Sequence, residues 1–284
     1  MNTASRQTPL QTALVTGASS GIGLAFVKLL ARKGFDLILV ARSEDKLLEL
    51  KTEITEQYDI RAFVFSHDLT QSDAPKKIFE QVQQNNLSVH TLINNAGFGD
   101  YGEFATRDWS KQQSMIFLNV MALTHLSHLF LPGMIQRGAG GILNVASTAA
   151  FQPGPLMSVY FATKAYVLSL TEAIAAEVEG TGVNVSVLCP GPTQSNFAQV
   201  AAMGKAAEDS PLSDKLPSAH EVASYAYDAL QKGQVVAVHG TVNKVLTFSN
   251  RLMPRSLIRK GVKQFMSALK SESDKSEGDQ FKAG

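Results

Sequence analysis

The stretch from Thr12 to Gly23 reads Thr12-Ala13-Leu14-Val15-Thr16-Gly17-Ala18-Ser19-Ser20-Gly21-Ile22-Gly23, an apolar run that enters a glycine-rich turn. Apolar periodicity after the turn predicts a helix over Ile22–Lys33. In a strand-turn-helix unit of this kind, glycines let the backbone approach a pyrophosphate at the helix N-terminus. The spacing is Gly17-x3-Gly21-x-Gly23, and the alternative is a turn that merely links strand to helix.

Short apolar runs alternate with helical patterns along the rest of the chain, which is typical of parallel strands covered by helices. The sequence therefore predicts an α/β fold, a doubly wound parallel sheet of about seven strands in a single domain, the Rossmann fold. The predicted strands are Thr12–Val15, Asp36–Val40, Ala62–Phe65, Thr91–Asn94, Gly141–Val145, Val183–Leu188 and Val235–Val238. The remaining predicted helices are Glu44–Gln57, Ala74–Gln84, Trp109–Ile135, Val159–Glu179 and Ala219–Lys232.

Two regions depart from this alternation. Residues 193–217, rich in small residues, form a long insert that we interpret as a substrate lid. Residues 241–270 place apolar side chains at helical spacing with basic residues between them, which predicts an amphipathic helical extension. The predicted organisation is therefore a polar segment at 1–10, the main domain at 11–240, this extension, and a polar tail at 271–284 that we expect to be disordered.

The bulk composition restricts the class of partner and the compartment. The 284 residues carry a net charge of +1, so nothing in the charge balance indicates nucleic acid. The one cysteine, Cys189, lies in an apolar run and is predicted to be a buried, inert thiol. A single cysteine fits a reducing cytoplasm, the expected localisation. His125 and His128 lack acidic or cysteine partners, so we predict no metal site.

The end of the second predicted strand favours one dinucleotide over another. Sites that select NAD usually carry an acidic residue there, but this strand ends Val40-Ala41-Arg42. The guanidinium of Arg42 suits a 2′-phosphate, and Ser19 adds a hydroxyl, so NADP is the predicted cofactor. The alternative is that Arg42 is a solvated cation at the start of the next helix.

Tyr160 and Lys164 lie four residues apart on a predicted helix, so both side chains share one face. A nearby ammonium favours the phenolate and lowers a tyrosine pKa by roughly one to three units. Such pairs are also common on solvated helix faces, and the spacing alone does not establish catalysis.

The ordered set of motifs resembles the short-chain dehydrogenase/reductase family over about Thr12 to Val238. Within that family the chain is similar to bacterial broad-specificity reductases and to long-chain 3-oxoacyl thioester reductases. The motifs are Thr16-Gly17-x3-Gly21-Ile22-Gly23, Asp68-Leu69, Asn94-Asn95-Ala96-Gly97, Leu118-Asn119-Val120, Ser147, Tyr160-x3-Lys164 and Pro190-Gly191.

The resemblance implies a catalytic role for four residues. Tyr160 would give a proton to the carbonyl oxygen, and Lys164 would lower its pKa and hold the nicotinamide ribose. Ser147 would bond the substrate oxygen, and Asn119 would anchor a water in a proton relay. Alternatively, the Ser147 and Asn119 side chains bond backbone groups as ordinary structural residues.

The resemblance also implies a set of cofactor contacts. Asp68 would contact the adenine, Asn94 would line the cofactor channel, and Thr193 would reach the nicotinamide carboxamide. Alternatively, Asp68 caps the following helix and Asn94 shapes a turn. The full implied set is Gly17, Ser19, Ser20, Gly21, Ile22, Gly23, Arg42, Asp68, Leu69, Asn94, Ala96, Gly97, Tyr160, Lys164, Pro190, Gly191 and Thr193.

The expected function is an NADPH-dependent oxidoreductase of ketones or aldehydes, with a hydrophobic or acyl-chain carbonyl compound as substrate. An apolar pocket is expected from Phe98, Tyr101, Phe151, Met157 and Phe197. The alternatives are a non-catalytic NADP-binding redox sensor and a peripheral membrane reductase that binds lipid through residues 242–270. We expect these residues to pack on protein instead, because Pro254 interrupts their helical pattern.

The resemblance further implies a homodimer or homotetramer. The helices Trp109–Ile135 and Val159–Glu179 resemble the family's dimerisation surface.

Overall fold

The computed structural model describes residues 11–195, 197–201, 216–264 and 266–267. Seven strands form one parallel sheet in the order β3-β2-β1-β4-β5-β6-β7, which confirms the predicted doubly wound fold. All seven predicted strands are present, and their ends differ from the prediction by at most two residues. The strands are β1 (Thr12–Thr16), β2 (Asp36–Ala41), β3 (Ala62–Ser66), β4 (Val89–Asn94), β5 (Gly140–Val145), β6 (Val183–Cys189) and β7 (Val236–Val238).

The helices follow the strands as the alternating pattern predicts. The predicted helix Trp109–Ile135 is one continuous helical run, but its middle, Phe117–Ala122, is a wider π-helical segment between α4 and α5. The helices are α1 (Gly21–Arg32), α2 (Glu44–Gln57), α3 (Ala74–Gln84), α4 (Trp109–Ile116), α5 (Leu123–Arg137), α6 (Ser158–Glu177), α7 (Phe197–Val200), α8 (Ala219–Gln231) and α9 (Thr241–Leu252). Residues 255–264 are also helical.

Several predicted regions lie wholly or partly outside the described residues. Of the predicted lid, the structure describes only 193–195, 197–201 and 216–217. The polar segment at 1–10 and the tail at 271–284 are not described, and neither are Phe265 and Leu269 of the extension. The predictions for these parts stay predictions.

Two apolar clusters cover the two faces of the sheet. One joins α1, α2 and α8, with Phe26, Leu47 and Leu230 fully buried. The other joins α3 and α5, with Ile78 and Phe130 buried against the opposite face. Burial on both faces explains why the strands are continuous apolar runs in the sequence.

The run Trp109–Arg137 is long and apolar enough, by length and composition, to cross a membrane. Here α5 packs against β4 and β5 as a layer of the fold. A core helix of this kind meets the same criteria, so the run indicates no membrane span by itself.

The strand order places one crevice at the carboxyl edge of the sheet. The chain moves outward from β1 through β2 to β3 and then returns to place β4 on the other side of β1. The connections that leave β1 and β4 therefore diverge, and such a reversal is where α/β sheets bind ligands. The glycine turn follows β1, Asn95 follows β4, and Ser147 lies just beyond β5, so all three lie at this edge.

Candidate active site

The glycine turn is folded so tightly that side chains cannot be added to it. Gly17 has a φ of +66°, in the left-handed region, and a Cβ there would lie 2.8 Å from the Asn95 Nδ2 atom. A Cβ on Gly23 would lie only 2.1 Å from the Gly17 carbonyl oxygen. The first turn of α1 therefore packs directly on the backbone of the glycine turn.

Thr16 and Asn95 hold the two crevice loops together, and neither of them was among the predicted site residues. The Thr16 Oγ1 atom accepts hydrogen bonds from the backbone amides of Asn95 and Ala96, each at 3.0 Å. The Asn95 Nδ2 atom donates to the Thr16 carbonyl oxygen at 3.0 Å. Their position inside two recognised motifs was the available signal, but which partners they bond depends on the strand order.

The amino end of α1 fits an anionic group. Ser20 is the N-cap residue and is exposed, and its side chain makes no capping bond. The first backbone N–H groups of α1 are therefore not used by a side-chain cap. Gly17 and Gly23 leave the cradle without side chains, so these residues and their neighbours Ser19, Gly21 and Ile22 fit a pyrophosphate.

Arg42 lies at the same edge, immediately after β2. It is exposed, and within the described part of the chain it forms no ion pair. The residue before it is Ala41, so β2 ends without a carboxylate. This combination fits a ribose 2′-phosphate better than a ribose 2′-hydroxyl.

Asp68 and Asn94 have different surroundings from those expected of cofactor contacts. The Asp68 Oδ1 atom accepts from the backbone and hydroxyl of Thr70, so the carboxylate shapes the turn after β3, beside the buried Leu69. Asn94 was expected to line the cofactor channel. Its amide is buried instead and donates to Asn144 at 2.9 Å and to Ser127 at 3.0 Å. The alternation of a strand turns this side chain into the core.

Tyr160, Ser147 and Lys164 meet where β5 and the first turn of α6 converge. Tyr160 is buried, and the Ser147 side chain lies beside its hydroxyl, while the Ser147 Oγ atom accepts from the Ala149 amide at 3.1 Å. Lys164 is also buried, and its Nζ atom donates to the Val145 carbonyl oxygen at 2.8 Å. The Nζ atom lies 5.7 Å from the centre of the Tyr160 ring.

Burial shifts both pKa values away from the charged forms. Burial raises the pKa of Tyr160 to about 12, although the neighbouring Ser147 hydroxyl opposes the shift. Burial also lowers the pKa of Lys164 to about 8. The expectation that Lys164 lowers the pKa of Tyr160 is therefore wrong for the polypeptide: the ammonium bonds Val145, and desolvation dominates. The neutral phenol that results is the form that can donate a proton.

The Asn119 side chain bonds protein groups on both of its polar atoms. Its Oδ1 atom accepts from the Phe98 amide at 3.1 Å, and its Nδ2 atom donates to the Phe98 carbonyl and to the Thr163 hydroxyl. It thereby joins the loop after β4 to α6, and the role of Asn119 in a water relay stays a prediction. A Cβ on Gly97 would lie 3.0 Å from Asn119 Oδ1 and 3.4 Å from Lys164 Nζ, so these three residues adjoin.

The loop after β6 closes the crevice from the other side. Pro190 accepts a hydrogen bond from the Thr148 amide, one residue beyond Ser147. The Thr193 hydroxyl donates to the Gly191 carbonyl oxygen at 3.0 Å. A Cβ on Gly21 would lie 3.4 Å from the Cβ of Ser195, so this loop runs opposite the start of α1. The glycine turn and the loop after β6, which both contain predicted cofactor contacts, therefore face each other.

An apolar cluster surrounds the Tyr160 ring. It includes four of the five residues predicted for the substrate pocket: Phe98, Tyr101, Met157 and Phe197. The ring centres of Phe197 and Tyr160 lie 5.3 Å apart. Phe151 belongs to a different cluster, with Leu123 and Val238, so its assignment to the pocket was wrong. The cluster also contains Met266, whose carbonyl oxygen accepts from the Tyr101 hydroxyl at 2.8 Å.

Asp100 anchors the loop that faces Tyr160. Its side chain is fully buried and accepts from Arg107, Lys111 and Gln112 at 2.5–2.7 Å. Burial alone would raise the pKa of Asp100, but the bonds with Arg107 and Lys111 outweigh it and lower the pKa. The neighbouring Gly99 packs so closely that a Cβ there would lie 3.4 Å from the Tyr160 ring. The Asp100 carboxylate therefore positions one wall of the apolar pocket.

No group of three or more His, Cys, Asp or Glu residues within the described ranges is arranged to hold a metal ion. Cys189 is fully buried, and burial raises the pKa of its thiol to about 12, which keeps it protonated.

Comparison with known proteins identifies relatives along most of the chain. The family described as short chain dehydrogenase matches residues 11–205. A very-long-chain 3-oxoacyl-CoA reductase from Anas platyrhynchos is 35% identical over 63% of this chain, but the match spans only 58% of that relative's length. Sulfoacetaldehyde reductase 2 from Chromohalobacter salexigens is 34% identical over 75% of this chain and 86% of its own.

The solved structures show the same similarity. A short-chain dehydrogenase from Sphingobium yanoikuyae in complex with NADPH superposes with a TM-score of 0.76 and 29% identity. The superposition covers 86% of this chain and 94% of that one.

Replacement of Asp100 by Asn tests its positioning role. The amide side chain of the variant cannot neutralise Arg107 and Lys111. We therefore expect the pocket wall beside Tyr160 to be held less firmly and the free energy of unfolding to fall by about 1–3 kcal/mol. The KM for a carbonyl substrate should rise, while the Kd for NADPH, whose predicted contacts lie elsewhere, stays unchanged. Steady-state kinetics and a binding titration measure both. The control is Asp108→Asn, because Asp108 only caps the exposed start of α4. An equal rise in KM in the control would contradict the role.

Proposed function

We propose, from the premise that this chain belongs to the short-chain dehydrogenase family, that it is an NADPH-dependent oxidoreductase that interconverts a carbonyl compound and its alcohol. One observation carries the proposal. The Tyr160 hydroxyl, beside Ser147 and adjacent to Lys164, lies at the carboxyl edge of the sheet, where the glycine cradle also opens. A proton donor and a dinucleotide cradle thus share one crevice.

The division of labour follows from the positions of these groups. NADPH, when bound, supplies the hydride. Tyr160 is protonated at neutral pH and donates its proton to the oxygen on which negative charge develops. The Ser147 hydroxyl lies beside Tyr160 and directs the substrate oxygen to the same point. Lys164 stabilises that charge electrostatically, and its buried Nζ is held in place by Val145. Asn119 keeps the loop after β4 against α6.

The substrate we propose is a hydrophobic or acyl-chain ketone or aldehyde. The support comes from the apolar cluster around Tyr160, in which Met157 and Phe197 flank the proton donor. One relative is named as a very-long-chain 3-oxoacyl-CoA reductase. Another is named for the reduction of the small, charged sulfoacetaldehyde, so the relatives' names alone do not fix the chain length.

A non-catalytic redox sensor is the weaker alternative. Such a protein would need the glycine cradle and Arg42 but not a proton donor beside them. Here the whole donor group, Tyr160, Ser147 and Lys164, is present and assembled, which favours turnover.

We also propose a cytoplasmic homo-oligomer, either a dimer or a tetramer. Its support is an open apolar groove of about 610 Å³ between α4 and α6, bounded by the exposed Phe104. Exposed apolar surface of this kind is typical of subunit contacts. The buried, protonated thiol of Cys189 is compatible with a reducing compartment.

The Tyr160→Phe variant tests the proton donor. Removal of one hydroxyl should lower turnover roughly a hundred- to ten-thousand-fold, and NADPH binding should persist because the cradle is untouched. NADPH oxidation with a panel of aldehydes, diketones and 3-oxoacyl thioesters measures turnover. Tyr166→Phe is the matched control, since Tyr166 lies on the same helix, half-exposed, against Thr124. Full turnover in Tyr160→Phe would exclude the mechanism.

The Arg42→Ala variant tests the cofactor preference. Loss of a guanidinium bound to the 2′-phosphate should weaken NADPH about tenfold or more, as expected for a charge-assisted hydrogen bond. NADH, which lacks that phosphate, should bind as before. Fluorescence titration with both dinucleotides measures the ratio, and Lys46→Ala, an exposed cation on α2, is the control. An unchanged ratio in Arg42→Ala would show that NADP selection lies elsewhere.

The depressed pKa of Lys164 predicts how turnover depends on pH. Its ammonium is the major form below pH about 8 and is lost as the pH rises through that value. We therefore expect kcat/KM for carbonyl reduction to fall above pH about 8, whereas an ordinary lysine would stay charged to pH ~10.4. In Lys164→Met the residual activity should lack this inflection. If the inflection persists in that variant, another group is responsible.

A further inference from the structure

Helix α9 has its polar face against the protein and its apolar face towards solvent. Thr247 is buried, and Asn250 donates to the Gln152 side chain at 3.0 Å. Asn243 packs against Gly191 and donates to the His239 carbonyl oxygen. Surface helices of globular proteins show the opposite arrangement, with the apolar stripe towards the core.

The outward face of α9 forms a continuous apolar surface, which we call the apolar ridge. Its members are more than two-fifths exposed, and Leu252 is 74% exposed. A surface made of several large, exposed apolar side chains is costly to hydrate and marks an interaction site. The ridge consists of Val242, Val245, Leu246, Phe248 and Leu252, and Met253 and Leu257 just beyond α9 are exposed as well.

The ridge lies in the most basic part of the chain. Residues 229–271 contain eight Lys and Arg and no Asp or Glu, although the whole protein has a net charge of only +1. Lys244 and Arg251 are exposed on α9 itself. Arg255, Arg259 and Lys263 are exposed on the helical residues 255–264 that follow. Exposed apolar and cationic groups thus lie on the same stretch of chain, and we call these five exposed cations the basic border.

The segment after Pro254 is fixed to the catalytic domain. Ile258 and Met266 are buried, and Tyr101 bonds the Met266 carbonyl oxygen. Met266 belongs to the cluster around Tyr160. The expectation that the extension packs on protein thus describes its second half, while the first half presents the ridge.

We propose that the apolar ridge and its basic border dock on the surface of a lipid bilayer that carries anionic headgroups. The apolar side chains enter the boundary between headgroups and acyl chains, and the Lys and Arg side chains bind the headgroup charges. A second copy of the chain is a poorer occupant. A two-fold interface sets a patch against itself, and here it would bring two cation-rich borders together.

Vesicle co-sedimentation of the full chain tests the docking, independently of any turnover. We expect binding to phosphatidylcholine vesicles that contain phosphatidylglycerol, and much weaker binding to phosphatidylcholine alone. The double variant Phe248→Ser/Leu252→Ser should weaken binding roughly tenfold or more for each side chain. The reason is that each replacement removes the favourable free energy of moving an apolar side chain from water into the bilayer. Arg255→Gln/Arg259→Gln/Lys263→Gln should weaken it about fivefold per cation on anionic vesicles only.

The matched control is Leu48→Ser, an exposed leucine on α2 that lies outside the ridge and its basic segment. It should sediment like the parent chain, and NADPH titration reports that each variant is folded. The proposal is overturned if the parent chain stays in the supernatant with anionic vesicles, or if the ridge variant sediments as well as the parent. It is also overturned if the ridge variant dissociates an oligomer while the parent ignores vesicles, since a second copy then covers the ridge. Failure of Tyr160→Phe to lose turnover would leave this result unaffected.

Discussion

The close contact between the glycine turn and the loop after β4 is the constraint on which the rest of the site depends. Gly23 lies against the Gly17 carbonyl. Thr16, at the end of β1, and Asn95, just after β4, form hydrogen bonds with each other through both side chains and backbones. These contacts bring the start of α1 against the sheet edge and fix the position of Gly97. Gly97 in turn adjoins both Asn119 and Lys164. The cofactor cradle and the proton donor are thus parts of one hydrogen-bonded unit.

Burial gives this unit its chemistry. Tyr160 and Lys164 are both enclosed, and desolvation disfavours the charged form of each. The result is a neutral phenol beside a lysine whose pKa lies close to neutrality, instead of a phenolate beside a permanent ammonium. A neutral phenol is a proton donor, which suits carbonyl reduction. The enclosure depends on the loop that Asp100 anchors and on Met266, two features remote in sequence from α6.

The sequence predicted what depends on local pattern and missed what depends on three-dimensional surroundings. Continuous apolar runs located all seven strands, because both faces of the sheet are buried. Motif spacing located Ser147, Tyr160 and Lys164, which the fold brings together. The side-chain partners of Asn94 and the cluster to which Phe151 belongs depend on packing, which residue spacing does not show. The predicted direction of the Tyr160 pKa shift was wrong for the same reason. The spacing shows that a charged residue is near, but it does not show that the side chain is buried.

The extension shows why one amphipathic pattern can serve two purposes. Pro254 separates α9 from the next helix, so the two apolar stripes need not face the same direction. The second stripe packs on the cluster around Tyr160 through Val262 and Met266, while the first faces outward as the apolar ridge. A single chain segment therefore connects the pocket wall to an exposed apolar, basic surface. If that surface lies on a bilayer, an apolar carbonyl substrate dissolved among acyl chains is concentrated next to the segment that bounds the pocket. A reductase of hydrophobic substrates then need not extract them from water, where their solubility is low.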